Sequence, residues 1–298
     1  MKFLFLALAC VHYTLRKSQQ AAGDDLDKGA WSKFCTISEE LNKVKGNAAE
    51  RLQAFNTIRV KNKQIQLRLQ IYATEARDET TRTKAAALAL WLNRKGEAAA
   101  TAGMTTEAAT AINGVAAGIY AKGRVDELLE LMAQTKSAAN GCLVNGDSCS
   151  GSPVSKTGSI IGDTECSLTR KAPAATYSDL TILTPQGFGE KPIPTAAGNG
   201  KRSSTIGCYF LTLTGAGLDK TNQQDAATVY YGGGIFSGAK TNGQLAGARL
   251  RTLTTEAETN TQTWKDAETG ANEVKNLNSA PTTMPHLRRK PTASLRLL

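Results

Sequence analysis

From Phe34 the apolar residues of this chain step alternately by three and four positions. Phe34, Ile37, Leu41, Val44, Ala48, Phe55, Ile58, Ile65, Leu69 and Tyr72 fill ten of the twelve places in that series, with Arg51 and Asn62 as the exceptions. A heptad seam sustained over five repeats belongs to a long helix that lies against another helix. Lys, Arg, Gln, Glu and Asn occupy the places between and require water. Helical from about 31 to 80, the segment would extend about 75 Å at 1.5 Å per residue. A single apolar stripe of that length must be covered by a partner helix.

The next segments supply one. Residues 83–92 are rich in Ala and Leu and precede Gly96, and two further helical stretches are predicted at about 105–121 and 124–139, separated by glycines. The arrangement predicts a return path antiparallel to the first helix. From Asn140 to about 228, Gly, Ser, Pro and Thr dominate. Short β-like runs stand at 178–184 and 208–214. Residues 241–280 again read as helix, with Leu245, Ala248, Leu250, Leu253, Ala257, Trp264, Ala267 and Val274 as its apolar positions. The expected fold is mainly α: an elongated bundle of long antiparallel heptad helices carrying a disulfide-bearing lobe of loops and short strands.

Charge and histidine content exclude several function classes. The chain has 298 residues and a net charge of +10, but residues 1–22 carry +3 of it and 286–298 carry +4, leaving +3 on the body between. That body has no electrostatic footprint for a phosphate backbone, so no nucleic-acid partner is expected. The two histidines, His12 and His286, stand at the chain ends. A Ser-His-Asp or Cys-His pair and a His-ligated metal are thereby excluded from the interior. Neither an enzyme, a cofactor nor a small-molecule substrate is expected.

The N-terminus has Lys2, an apolar run from Phe3 to Val11 and small residues at Ala21 and Ala22. This is the pattern of a secretory signal peptide over 1–22, and the run is too short to span a bilayer. Behind such a signal, cysteines form disulfides by default. Cys10 would leave with the signal, so the candidates are Cys35, Cys142, Cys149, Cys166 and Cys208. Their spacings lack the short pairs of a zinc site. The odd count leaves one thiol free or joined to another chain. Cys35 is expected to bond within the 142–208 cluster, with Cys166 the leading candidate, because that bridge ties the start of the long helix to the lobe. The tail at 285–298 contains Arg288, Arg289 and Lys290 among prolines and has neither helical nor strand period. It reads as a basic disordered segment.

Other motifs carry no chemistry. Gly232, Gly233 and Gly234 lack the Lys-Ser or Lys-Thr of a phosphate loop, and they read as a tight strand-to-helix turn. Gly215-Ala216-Gly217 lacks the third glycine of a dinucleotide fingerprint. Acid pairs such as Glu39-Glu40 and Asp126-Glu127 read as solvated helix faces. The sequence contains no Asn-x-Ser or Asn-x-Thr glycan acceptor.

A signal peptide, Trp31-Ser32-Lys33-Phe34-Cys35 opening a long heptad helix, the Ala-rich return and the run Asp225-Ala226-Ala227-Thr228-Val229-Tyr230-Tyr231-Gly232-Gly233-Gly234 together resemble a trypanosome variant surface glycoprotein. The glycine run looks like the B-type N-terminal domain of that family; the likeness covers about 23–280, and the domain is expected over 23–284. The resemblance implies a rod-like helical domain that homo-oligomerises along its long helices. It further implies a dense coat on the plasma membrane that shields the cell from host antibodies. A ligand-binding surface receptor on the same scaffold, serving nutrient uptake, is the alternative. The cysteine-rich C-terminal domain and the apolar anchor signal of the family are not matched, so a truncated copy without its own GPI anchor is expected.

Overall fold

A computed structural model describes residues 25–138, 140–146, 151–189, 208, 228–239, 245–247, 250, 253 and 260–277. The proposed signal peptide, the basic tail, Cys149 and the β-like run at 209–214 lie outside the described residues.

The dominant feature is an antiparallel hairpin of two long helices, α1 (Lys28–Glu75) and α2 (Glu79–Gln134). Both start on an aspartate. The Asp27 carboxylate accepts from the Ala30 amide at 3.0 Å, and Asp78 accepts from the Thr81 amide at 2.7 Å. Each satisfies one of the amides that a helix start leaves unpaired. Hydrogen bonding from the Thr81 side chain first, and from its amide second, holds the Asp78 carboxyl below its ordinary range. Only residues 76–78 connect the helices, so α2 must return directly along α1.

At the lobe end the expected seam is the core. Phe34, Ile37, Leu41, Val44 and Ala48 are buried in one cluster with Ala111, Ala121, Val125, Leu129 and Met132 of α2, and Phe55 is buried further along. Further along the stripe turns away. Ile58, Leu69 and Tyr72 are half-buried, and Ile65 is 43 % exposed. Gln66 and Ala73 are buried instead, one residue later than a strict heptad places them. A straight α-helix loses about 20° per heptad against a 3.5-residue repeat. Over four repeats this approaches the 100° separating neighbouring residues. The hairpin therefore follows the straight-helix period, and the heptad stripe drifts off the α2 contact.

Three further expectations require correction. The return path is one continuous helix of 56 residues, with Gly96, Gly114, Gly118 and Gly123 inside it rather than at breaks. Gly114 is needed for packing: a Cβ there would lie 2.6 Å from Val274 Cγ2 and collide with the Gly270 carbonyl. The 241–280 segment is not one helix. Leu245–Gly247 forms a strand, and helix α3 runs over Gln262–Asn276. Its face of Trp264, Ala267, Ala271 and Val274 is buried, mainly against α2. Finally, the 178–184 run is a strand only at Leu183–Thr184.

Among the described residues the lobe holds three small antiparallel sheets. Strands β1 (Lys156–Thr157), β2 (Ile160–Ile161) and β3 (Thr164–Glu165) form a meander. Strands β4 (Leu183–Thr184) and β5 (Gly187–Phe188) form a hairpin, and β6 (Thr228–Tyr231), β7 (Phe236–Ala239) and β8 (Leu245–Gly247) form the third sheet. Phe188 meets the ring of Trp264 edge-on at 5.7 Å, and Phe236 meets Phe34 at 5.2 Å. These two contacts seat sheet residues on α3 and α1.

Candidate functional site

The starts of α1 and α3 and the end of α2 share one buried core with the lobe. Two disulfides cross this junction. Cys35 on α1 is bonded to Cys166, just after β3, and Cys142, just after α2, is bonded to Cys208. All four are buried. Leu26 bridges the segment after α2 in parallel, its amide donating to the Cys142 carbonyl at 2.8 Å and its carbonyl accepting from the Val144 amide at 3.0 Å. The Trp31 indole N–H donates to the Val144 carbonyl at 2.8 Å. The chain before α1 is thus stitched to the chain after α2.

The three glycines form the turn of the β6–β7 hairpin, in which Tyr231 pairs with Phe236. This is a strand-to-strand turn, not the strand-to-helix turn expected. Their φ values of 59°, 71° and 92° lie in the left-handed region that side chains disfavour. Crowding adds a second reason: a Cβ on Gly233 would stand 3.2 Å from Trp264 Nε1, and one on Gly234 would strike the Asn260 carbonyl. The Trp264 indole N–H donates to the Gly232 carbonyl at 2.9 Å. The glycines let the hairpin close down onto α3.

Between α1 and α2 lies a buried polar triad. Ser38 Oγ donates to Asp126 Oδ1 at 2.5 Å, and Lys122 Nζ donates to Ser38 Oγ at 2.7 Å and to Asp126 Oδ2. Burial pushes the Asp126 carboxyl up, while the Lys122 and Ser38 hydrogen bonds pull it back. A serine touching a lysine is the start of a nucleophile and its base. Here the hydroxyl proton is already given to a carboxylate, the ammonium is ion-paired, and all three residues are buried. The triad sets the register between the helices.

A second polar set lashes the extended segment 171–182 along α1. Asn47 brackets Ser178, donating to its carbonyl at 2.9 Å and accepting from its amide at 2.7 Å. Glu40 accepts from the Ile182 amide at 2.9 Å, and Lys45 donates to the Lys171 carbonyl. The Arg51 guanidinium stands 4.9 Å over the Tyr177 ring. Sequence reading did not find this strap. Its helix residues are ordinary surface types with no spacing that marks them. Among the described residues there is no group of His, Cys, Asp or Glu able to hold a metal, and no helix long and apolar enough to cross a membrane.

The geometry is that of a helical rod with a stapled lobe, and comparison with known proteins names the family. A family model described as Trypanosome variant surface glycoprotein (A-type) matches residues 6–287. The chain belongs to that family. The matching model is the A-type one, whereas the glycine run had pointed to B-type. Variant surface glycoprotein MITAT 1.2 of Trypanosoma brucei brucei is 35 % identical over 182 residues, covering 58 % of this chain and 38 % of the relative. Variant surface glycoprotein MITAT 1.1 of the same organism is 29 % identical over 158 residues, covering 51 % and 31 %. The matched stretch therefore spans well under half the length of these curated relatives. The solved structure of MITat 1.1 superposes with a TM-score of 0.70 at 21 % identity, over 85 % of this chain and 69 % of that one. That likeness establishes the shared fold.

Proposed function

We propose that this chain is a non-catalytic component of a surface coat that shields the cell from host antibodies. The family match over 6–287 carries the reading. The architecture supports it in physical terms. A rod of paired helices packs side by side at high density, and disulfides and a close glycine crossing stiffen the end bearing the loops. Residues 23–284 would act as one N-terminal domain of the A-type, and the apolar run at 3–11 supports entry into the secretory pathway. The exposed stretch of the strap at 171–176 and the turn at Gly158 would then face antibody.

The rods would associate with one another through the long helices. Between Ala98 and Ala121 the sequence has one charged residue, Glu107, while Ile112, Ile119 and Tyr120 are exposed on α2. A neutral stretch with exposed large side chains suits self-contact. Sedimentation velocity tests this: a rod assembly should fall to monomer in an Ile112→Lys, Tyr120→Lys variant. The coat reading is tested by labelling live, unfixed trypanosomes expressing the chain with antibody to the native domain. Surface label that masks invariant surface proteins is expected. Protein made in quantity but never reached by antibody on intact cells would overturn the reading.

A further inference from the structure

The distal half of α1 has a second heptad seam on the side away from α2. Thr57, Val60, Gln64, Leu67, Ile71 and Thr74 follow the alternating three-and-four step, and all six are exposed. On an ideal helix they stand about 150° from the inward line of buried Phe55, Gln66 and Ala73 and half-buried Asn62. Leu67 is 48 % and Ile71 58 % exposed. The positions flanking this seam are Lys61, Lys63, Arg68 and Gln70, with Glu75 at the last turn.

We propose that this face is a docking surface for an acidic amphipathic helix of another protein. Charge complementarity selects that occupant. In a coiled coil the flanking positions of one helix meet those of the other and decide partner choice. A second copy in parallel would set Lys63 against Arg68, and an antiparallel copy would bring together faces that each carry three flanking cations against the single carboxylate of Glu75. Like charges placed directly opposite disfavour both pairings. A helix with apolar seam positions and Glu flanks instead finds three cations at the spacing its carboxylates need, and it covers Val60, Leu67 and Ile71. This surface is separate from the charge-poor stretch of α2 assigned above to self-contact.

The probe is a labelled 21-residue peptide with Leu and Ile in the seam and Glu at the flanks, beside the same peptide with Lys flanks. Each is titrated with the full chain by fluorescence anisotropy. The Glu peptide should bind, at least tenfold more tightly than the Lys peptide, and should weaken as salt rises. Leu67→Gln with Ile71→Gln should reduce binding tenfold or more without moving the melting curve, because both side chains are already exposed. Lys61→Glu, Lys63→Glu and Arg68→Glu together should invert the preference toward the Lys peptide. Equal binding of the two peptides, no binding, or indifference to the seam variants would overturn the proposal. So would loss of self-association in the Leu67, Ile71 variant, which would make the face homotypic. Loss in that variant of binding to phosphatidylserine vesicles would overturn it too, by making the face a membrane surface.

Discussion

One substitution, Gly to Ala, should have opposite signs at two points of the same helix. At Gly96 of α2 a new Cβ meets nothing within 4 Å. Alanine there simply restores helix propensity, which stabilises by about 1 kcal/mol. At Gly114 the same methyl meets Val274 Cγ2 at 2.6 Å and runs into the Gly270 carbonyl, so α2 and α3 must separate. Backbone cannot swing aside as a flexible side chain does. The overpacking cost therefore falls at the upper end of its usual range, about 3 kcal/mol. Subtracting about 1 kcal/mol of propensity leaves a net loss of about 2 kcal/mol. At about 2–4 °C per kcal/mol for a chain of this class, Gly114→Ala should melt about 4–8 °C lower and Gly96→Ala about 2–4 °C higher. Circular dichroism at 222 nm during thermal and urea unfolding reads both. A Gly114→Ala protein as stable as the parent would refute the close crossing of α2 and α3.

Three other outcomes are expected. Replacing Cys35 and Cys166 together by Ala opens a loop spanning 131 residues, for which the chain-entropy model gives about 5 kcal/mol; urea midpoints measure the loss, and an unchanged midpoint would refute it. Lys122→Met leaves the Asp126 carboxylate buried without its cation and should cost about 3–5 kcal/mol, while Lys122→Met with Asp126→Leu should recover most of that; a double variant no more stable than the single one would show that the triad is not a coupled unit. Burial also pushes the Glu268 carboxyl above its ordinary 4.5, so the folded chain binds that proton more readily than the unfolded chain. The contribution of Glu268 to stability is then present at low pH and is lost as pH rises through the raised folded value. Glu268→Gln should accordingly gain on the parent from pH 5 to pH 7.5 in urea unfolding, and a pH-independent difference would sink the assignment.

What the sequence by itself determined was the kind of molecule: a long helix, its need for an antiparallel partner, and a cysteine-bearing lobe. Those properties are local. A heptad stripe from Phe34 to Tyr72 declares one helix and one face, whatever the partner is, and the short connection at 76–78 forces the return. Tertiary structure decided everything that depends on two distant segments meeting. Glycines at 96, 114, 118 and 123 look like breaks in isolation, because Gly costs helix propensity; opposite Gly270 and Val274 one of them becomes the condition for close packing. The stretch 241–280 has apolar residues at helical spacing, yet Leu245–Gly247 pairs with β7 and becomes a strand. Small drifts also accumulate where no single residue shows them, so Ile65 turns outward and Gln66 inward after four heptads. The strap at 171–182 has no pattern of its own at all. Its hydrogen bonds come from Glu40, Lys45 and Asn47, more than 120 positions away, and only the folded chain brings them within reach.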